Sequence, residues 1–223
     1  MQQIALDIGL HPAPNLAHYL PGPNEAALAQ LQAWLAHQEQ NPVTLYLWGE
    51  AASGKTYLLR AVREKFLTQG LQIAWMDGQS PAEEFNEAWS AILLDEVQCY
   101  TPAQQQQAFS WMAQAQAAHI PVLAAGQSPP TALTLREDLR NRLGWGHVQP
   151  LQVLSEAERR AVLRQEADAR GIFLSDEVLN FMLSHFSRDL SSLMQLLEQI
   201  DGYALHAKRA VTVPLIKAML QAD

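Results

Sequence analysis

The sequence predicts a three-layer α/β/α domain built on a parallel sheet, followed by a small all-helical domain, and three observations carry that fold class. Short apolar runs alternate with helical periodicities through the first two thirds of the chain. The first of those runs leads directly into a loop of the form G-x-x-x-x-G-K-[ST]. Beyond residue 152 strand signals cease and only helical patterns remain.

Taken in order, residues 9–23 hold four prolines and read as a linker running into a loop. A helix follows with Leu28, Leu31 and Leu35 on one face, and it stops before Asn41-Pro42. VTLYLW (43–48) is a continuous apolar run, as expected of a strand buried on both faces. Ser53 to Leu67 reads as a helix closed by Gly70, and LQIAWM (71–76) and SAILLDE (90–96) are two further strands. Thr101 and Pro102 supply an N-cap and a first-turn proline for a Gln/Ala-rich helix ending near His119. IPVLAAG (120–126) is the next strand and HVQPLQ (147–152) the last. In the helical region Ser155 and Glu158 form a capping-box pattern and Gly171 ends the helix they open. Residues 175–186, 188–207 and 213–222 give three more helices. The predicted organisation is a tail over 1–15, an α/β domain over 16–152 and a helical domain over 153–223.

Composition excludes several classes. Residues 1–30 contain no Lys or Arg and no apolar stretch of signal length, and no run approaches a membrane span. The single cysteine, Cys99, rules out an internal disulfide and suits a reducing cytoplasm. The scattered histidines give no metal-ligand spacing. Net charge is −8, and residues 66–135 lack any Lys or Arg while holding Asp77, Glu83, Glu84, Glu87, Asp95 and Glu96. A surface that grips duplex DNA needs clustered cations, so no sequence-specific DNA binding is expected from this region. The helix bearing Arg159, Arg160 and Arg164 also carries Glu156, Glu158 and Glu166 and reads as an ordinary solvated face.

GEAASGKT, from Gly49 through Ser53, Gly54 and Lys55 to Thr56, carries the chemistry. On its own the pattern also describes a Gly-rich turn. Between a strand and a helix, its backbone N–H groups can curl around phosphate oxygens, with Lys55 on the β- and γ-phosphates and Thr56 on Mg²⁺. A second piece agrees: AILLDE ends a buried strand with Asp95, placed to hold Mg²⁺, and Glu96, placed to polarise an attacking water. The expected cofactors are ADP or ATP with Mg²⁺.

A P-loop α/β domain with a C-terminal helical lid resembles the AAA+ family. That resemblance assigns a polar sensor at the tip of the next strand to Gln127. It assigns an arginine finger aimed at a neighbouring subunit's γ-phosphate to Arg142 in LREDLRNRLGWG, with Arg140 as the fallback, and a phosphate-facing lid arginine to Arg188 in FSRDLSSLMQLL. A pairing of Arg142 with Glu137 or Asp138 on its own helix is the structural alternative, and Trp145 either touches the partner or packs beneath the finger, with packing the expected role. HYLPGPNEAAL (18–28) and RLGWG are similar to the DnaA branch of the family, which places Leu20 and Pro21 on the adenine side. No DNA-reading helix-turn-helix of an initiator is expected beside the lid, and DGQSPAEEFNEAW is short and acidic where initiators carry an extra helix.

QIALDI (3–8) resembles the extended peptides by which proteins dock on the bacterial DNA polymerase III sliding clamp: Gln3 at the groove mouth, Ile4 and Leu6 in the middle, Ile8 as the anchor. Alternate side chains of an extended peptide share a face and enter pockets together. The resemblance therefore implies a negative regulator of replication initiation. It would dock on the clamp, contact the DnaA initiator and promote hydrolysis there through Arg142, with weak ATPase activity of its own. It also leaves room for a homodimer. The alternative from the same residues is a free-standing AAA+ ATPase that loads a helicase.

Overall fold

The computed structural model describes residues 14–19, 21–36, 44–186 and 190–222. The clamp-like peptide (Gln3, Ile4, Leu6, Ile8), Leu20, the Asn41-Pro42 helix stop and Arg188 lie outside the described residues. The chain divides into two compact units, one ending at Leu151 and the other beginning at Gln152.

The first unit follows the order α1 (Glu25–Ala36), β1 (Leu45–Trp48), α2 (Lys55–Thr68), β2 (Ile73–Met76), β3 (Ala91–Leu94), α3 (Pro102–Ala118), β4 (Val122–Gly126), α4 (Glu137–Leu143) and β5 (His147–Pro150). The strands form one parallel sheet in the order β2-β3-β4-β1-β5, with Leu45 of β1 opposite Leu123 of β4 on one side and His147 of β5 on the other. Each strand is shorter than its apolar run suggests, because the outer residues of the runs continue into loops beyond the ladder.

Successive residues of a strand face opposite sides of a sheet, and here each side has its own core. Leu45, Leu47, Ala91, Leu93, Leu123 and Ala125 pack with α1 and α2 residues such as Leu31, Leu58, Val62 and Phe66. Tyr46, Ile92, Leu94, Val122 and Ala124 pack on the other side with Trp111, Met112 and Ala115 of α3 and with Leu139 and Leu143 of α4. All four residues of β3 are buried, which explains why AILL carries no polar alternation. In α1 the buried line is Ala27, Leu31 and Trp34, while Leu28 and Leu35 flank it half-buried. The leucine stripe expected from the sequence thus misses the centre of the face by about one residue, because the large indole of Trp34 takes the inner position.

The second unit comprises α5 (Glu156–Ala169), α6 (Asp176–His185), α7 (Leu190–Ala207) and α8 (Val213–Ala222). Its core is Leu163, Leu179, Met182, Leu193, Leu197, Ile200 and Ile216 with their neighbours. The capping box of α5 is formed: Ser155 Oγ accepts from the Glu158 N–H while Glu158 accepts from the Ser155 N–H. Arg160 and Arg164 pair with Asp176 at the start of α6. No helix among the described residues is long and apolar enough to cross a membrane.

Candidate functional site

The loop between β1 and α2 is seated by the sheet on both sides. The Gly49 N–H donates to Gly126 O at the tip of β4 (3.2 Å), and the Leu151 N–H donates to Trp48 O (2.6 Å) as the chain leaves β5. A Cβ on Gly49 would lie 2.1 Å from Leu151 O, so only glycine lets β5 close over the loop. Ala52 (φ 63°) and Gly54 (φ 92°) are both left-handed, which turns the backbone into the first turn of α2. The open N–H groups of that turn and the positive end of the helix dipole make this the natural place for an anion.

Lys55 is buried, and its ammonium donates to Gly49 O (2.7 Å), Glu50 O (2.7 Å) and Ser53 Oγ (3.1 Å), so the lysine closes the loop on itself. Burial pushes its pKa down, and the nearby charges of Asp95 and Glu96 oppose that shift. Asp95, also buried, stands beyond the end of β3 and hydrogen-bonds Thr56 at the start of α2. Burial pushes its carboxyl pKa up, while the Thr56 hydroxyl and the Glu96 N–H (2.9 Å to Oδ1) pull it down. A buried carboxylate held beside a threonine hydroxyl and a lysine ammonium fits a phosphate–Mg²⁺ group, because a divalent cation stabilises the ionised form that burial disfavours. Glu96 follows in the left-handed region (φ 49°), exposed at the sheet edge. A non-glycine residue held there stores strain of a kind that recurs at functional sites.

Gln127 lies just past β4 and is exposed, and its N–H donates to Gln98 Oε1 (3.1 Å). Gln98, which the sequence does not single out, therefore ties the turn after β3 to the tip of β4. Pro21 accepts a bond from the Asn24 N–H (2.7 Å), which shapes the turn before α1. The residue of this segment that reaches the loop is Tyr19: its ring lies 3.4 Å from where a Cβ of Gly54 would stand, and it stacks on Tyr57 of α2 (centroids 6.1 Å). An aromatic two residues before Pro21 was the available signal.

Arg142 stands apart from these groups on α4 and does not pair with Glu137 or Asp138. Asp138 takes Arg136 instead (2.7 Å), while Arg142 Nη1 donates to Gln116 Oε1 of α3 (3.0 Å). Trp145 is 67% exposed, yet its ring lies against the Arg142 guanidinium (5.1 Å to the centroid), so it packs on the arginine as expected without entering the core. Arg140, the fallback finger, is half-buried on the same short helix.

A loop of this form after β1, a buried Asp followed by Glu after β3, and a helical second unit give the chain the fold of AAA+ P-loop proteins. Residues 156–220 match the family model described as the Hda lid domain. The chain resembles domain III of the Thermotoga maritima replication initiation protein DnaA, with a TM-score of 0.74 at 18% identity over 95% of this chain and 97% of that one. AMPPCP-bound DnaA from Aquifex aeolicus gives 0.68 at 19% identity, over 86% of this chain and 66% of that longer one. The Thermotoga maritima RuvB Holliday junction branch migration motor gives 0.63 at 14% identity, over 90% and 69%. At these identities the structural likeness is one of fold, and the lid adds a narrower similarity, since residues 156–220 resemble the lid domain of Hda.

Proposed function

We propose that the chain is a nucleotide-binding negative regulator of replication initiation, which docks on the DNA-loaded sliding clamp and promotes hydrolysis of DnaA-bound ATP. The observation that carries this reading is the match of the lid to that of Hda, a regulatory inactivator of DnaA, on a domain with the fold of DnaA domain III. In the chain's own site, the N–H groups of the loop and Lys55 bind the phosphates of ADP or ATP, and Thr56 and Asp95 hold Mg²⁺. Bound Mg²⁺ neutralises phosphate charge there. By the family resemblance the phosphate-contacting role of the lid is assigned to Arg188, the base contact to Leu20 and Pro21, and the terminal-phosphate sensor to Gln127.

Arg142 acts on the partner. Its guanidinium is held at a partly exposed helix end, where it can complete a neighbouring site. An arginine supplied in trans is worth roughly 10³ to 10⁵ in rate in other nucleotide switches. Gln3, Ile4, Leu6 and Ile8 supply the clamp contact. The α/β domain (16–152) thus carries the chemistry, the tail (1–15) the address and the lid (153–223) the nucleotide cover.

The test is conversion of DnaA-bound labelled ATP to ADP by the full chain with clamp-loaded DNA. Conversion should require both chain and clamp, and Gln3→Ala/Leu6→Ala should abolish it together with clamp binding. Conversion unaffected by that double substitution would rule the tail out of the mechanism. A second reading, helicase loading by the chain's own ATPase, draws on the complete set of Lys55, Thr56, Asp95 and Glu96. Steady-state turnover that is independent of DnaA and lost in Glu96→Gln would favour it.

A further inference from the structure

Arg142 is held from three sides. Its guanidinium carbon lies 5.0 Å from the Phe109 ring centroid and 5.1 Å from that of Trp145, and Nη1 bonds Gln116 Oε1. Phe109 and Gln116 are seven residues apart on α3 and so share a face. That helix is fixed at its start by a complete Thr101–Gln104 capping box. Trp145 is fixed by its own N–H, which donates to Arg142 O (3.2 Å) where α4 unwinds. Its indole nevertheless stays 67% exposed, an unusual position for a residue that ordinarily gains most from burial.

The other arginine at this face is treated differently. Arg136 also approaches Phe109 (5.9 Å), but Asp138 neutralises it with two bonds and Gln106 accepts a third. Among the described residues the partners of Arg142 are all uncharged. Two aromatic faces and an amide oxygen fix the orientation of the group without cancelling its charge. Arrangement without neutralisation is what a group needs if its charge is to be spent on a phosphate brought by another molecule.

We propose that Trp145, with Phe109 and Gln116, is a clamp that pre-orients Arg142, so that Trp145 is a positioning residue for the trans-acting step. The inference rests on the reading of Arg142 as a finger. The clamp limits the rotamers of a long side chain before the partner arrives, and the loss of order falls on the rate at saturation rather than on docking. Removing the indole should lower the maximal rate of DnaA-bound ATP hydrolysis by about three- to tenfold, the usual cost of ordering one rotamer-rich side chain.

The experiment compares the full chain with Trp145→Ala, Trp145→Phe and Arg142→Ala by two readouts. The first is the NMR signal of the Arg142 side chain, whose δ-protons are shifted upfield when they stack on rings; the second is hydrolysis of DnaA-bound ATP against chain concentration. Trp145→Ala should return the Arg142 shift towards that of a free arginine and lower the maximal rate with the half-saturating concentration unchanged, and Trp145→Phe should restore both. An unchanged Arg142 shift in Trp145→Ala overturns the clamp whatever the kinetics show. A raised half-saturating concentration with an unchanged maximal rate also overturns it, by making Trp145 a docking contact. Full stimulation by Arg142→Ala instead overturns the finger reading, and with it the role given to the clamp, even where the stacking signal is present.

Discussion

Gly49→Ala is the substitution that the seating of the loop forbids most strongly. The new Cβ would lie 2.1 Å from the Leu151 carbonyl oxygen and 2.9 Å from Ser53 Oγ. The serine can rotate away; the backbone carbonyl cannot. To relieve the clash the loop and the end of β5 must part by about an ångström. That movement strains the Leu151-to-Trp48 and Gly49-to-Gly126 bonds, at 2.6 and 3.2 Å. Losing two backbone bonds costs about 1 kcal/mol each, and overpacking adds about 1–3 kcal/mol. A loss of roughly 3–5 kcal/mol is therefore expected, a large share of the about 5–15 kcal/mol that keeps a domain folded. Urea unfolding followed by tryptophan fluorescence measures it, and binding of a fluorescent ADP analogue reports whether the anion cradle survives. Gly49→Ala with an unchanged midpoint and unchanged binding would refute the reasoning, since the loop could not then be gripped between β4 and β5.

Three further outcomes follow from the same geometry. Asp95→Asn keeps one oxygen acceptor for the Glu96 N–H, turns its amide N–H to the Thr56 hydroxyl oxygen and removes a buried charge. Because burial raises the Asp95 pKa, its contribution to stability is present below the ordinary carboxylate range and lost as pH rises through the raised value. The nucleotide-free variant should gain about 1 kcal/mol at neutral pH, a gain that fades on acidification; urea midpoints at several pH values check it, and a gain growing at low pH would contradict the sign. Ala52→Gly removes a left-handed alanine (φ 63°), and the relief of about 1–2 kcal/mol exceeds the glycine penalty of about 0.5–1 kcal/mol. A small rise in thermal midpoint is expected, and a fall would show that the left-handed backbone at Ala52 stores no strain. Ser155→Ala breaks the capping box of α5 at a cost of about 1 kcal/mol, read as faster hydrogen exchange of the amides opening that helix.

The layering of the first unit was legible because the signal for a strand covered on both faces is composition alone: AILL and LYLW have no room for another reading beside the helical patterns around them. The loop of the site was legible for a similar reason, since glycine, lysine and threonine at that spacing answer to local backbone geometry. What the sequence could not give were contacts between distant segments. Gln116 and Arg142 are 26 residues apart, and nothing in the run QQQQ at 104–107 shows that its members bind four different places. Gln104 holds Asp77 O and Ser80 O, Gln105 holds Tyr100 O, Gln106 receives Arg136, and Gln107 reaches Glu83 O. The same limit explains Tyr19. The family resemblance pointed to its neighbours Leu20 and Pro21, but the approach of its ring to Gly54 depends on how the chain before α1 folds against α2. Likewise the sequence placed Trp145 beneath the finger, which its stacking on Arg142 matches, but its 67% exposure is not readable from residue type.

The central claim is that the chain acts on ATP held by DnaA rather than on its own nucleotide, and one comparison tests it. Hydrolysis of DnaA-bound ATP is followed in a single turnover, on clamp-loaded DNA, with the intact chain, with Arg142→Ala and with Glu96→Gln. The account predicts that Arg142→Ala loses the stimulation and that Glu96→Gln retains it. The reverse pattern, with stimulation surviving the loss of Arg142 and vanishing with Glu96, would contradict it and make the chain's own site the seat of hydrolysis.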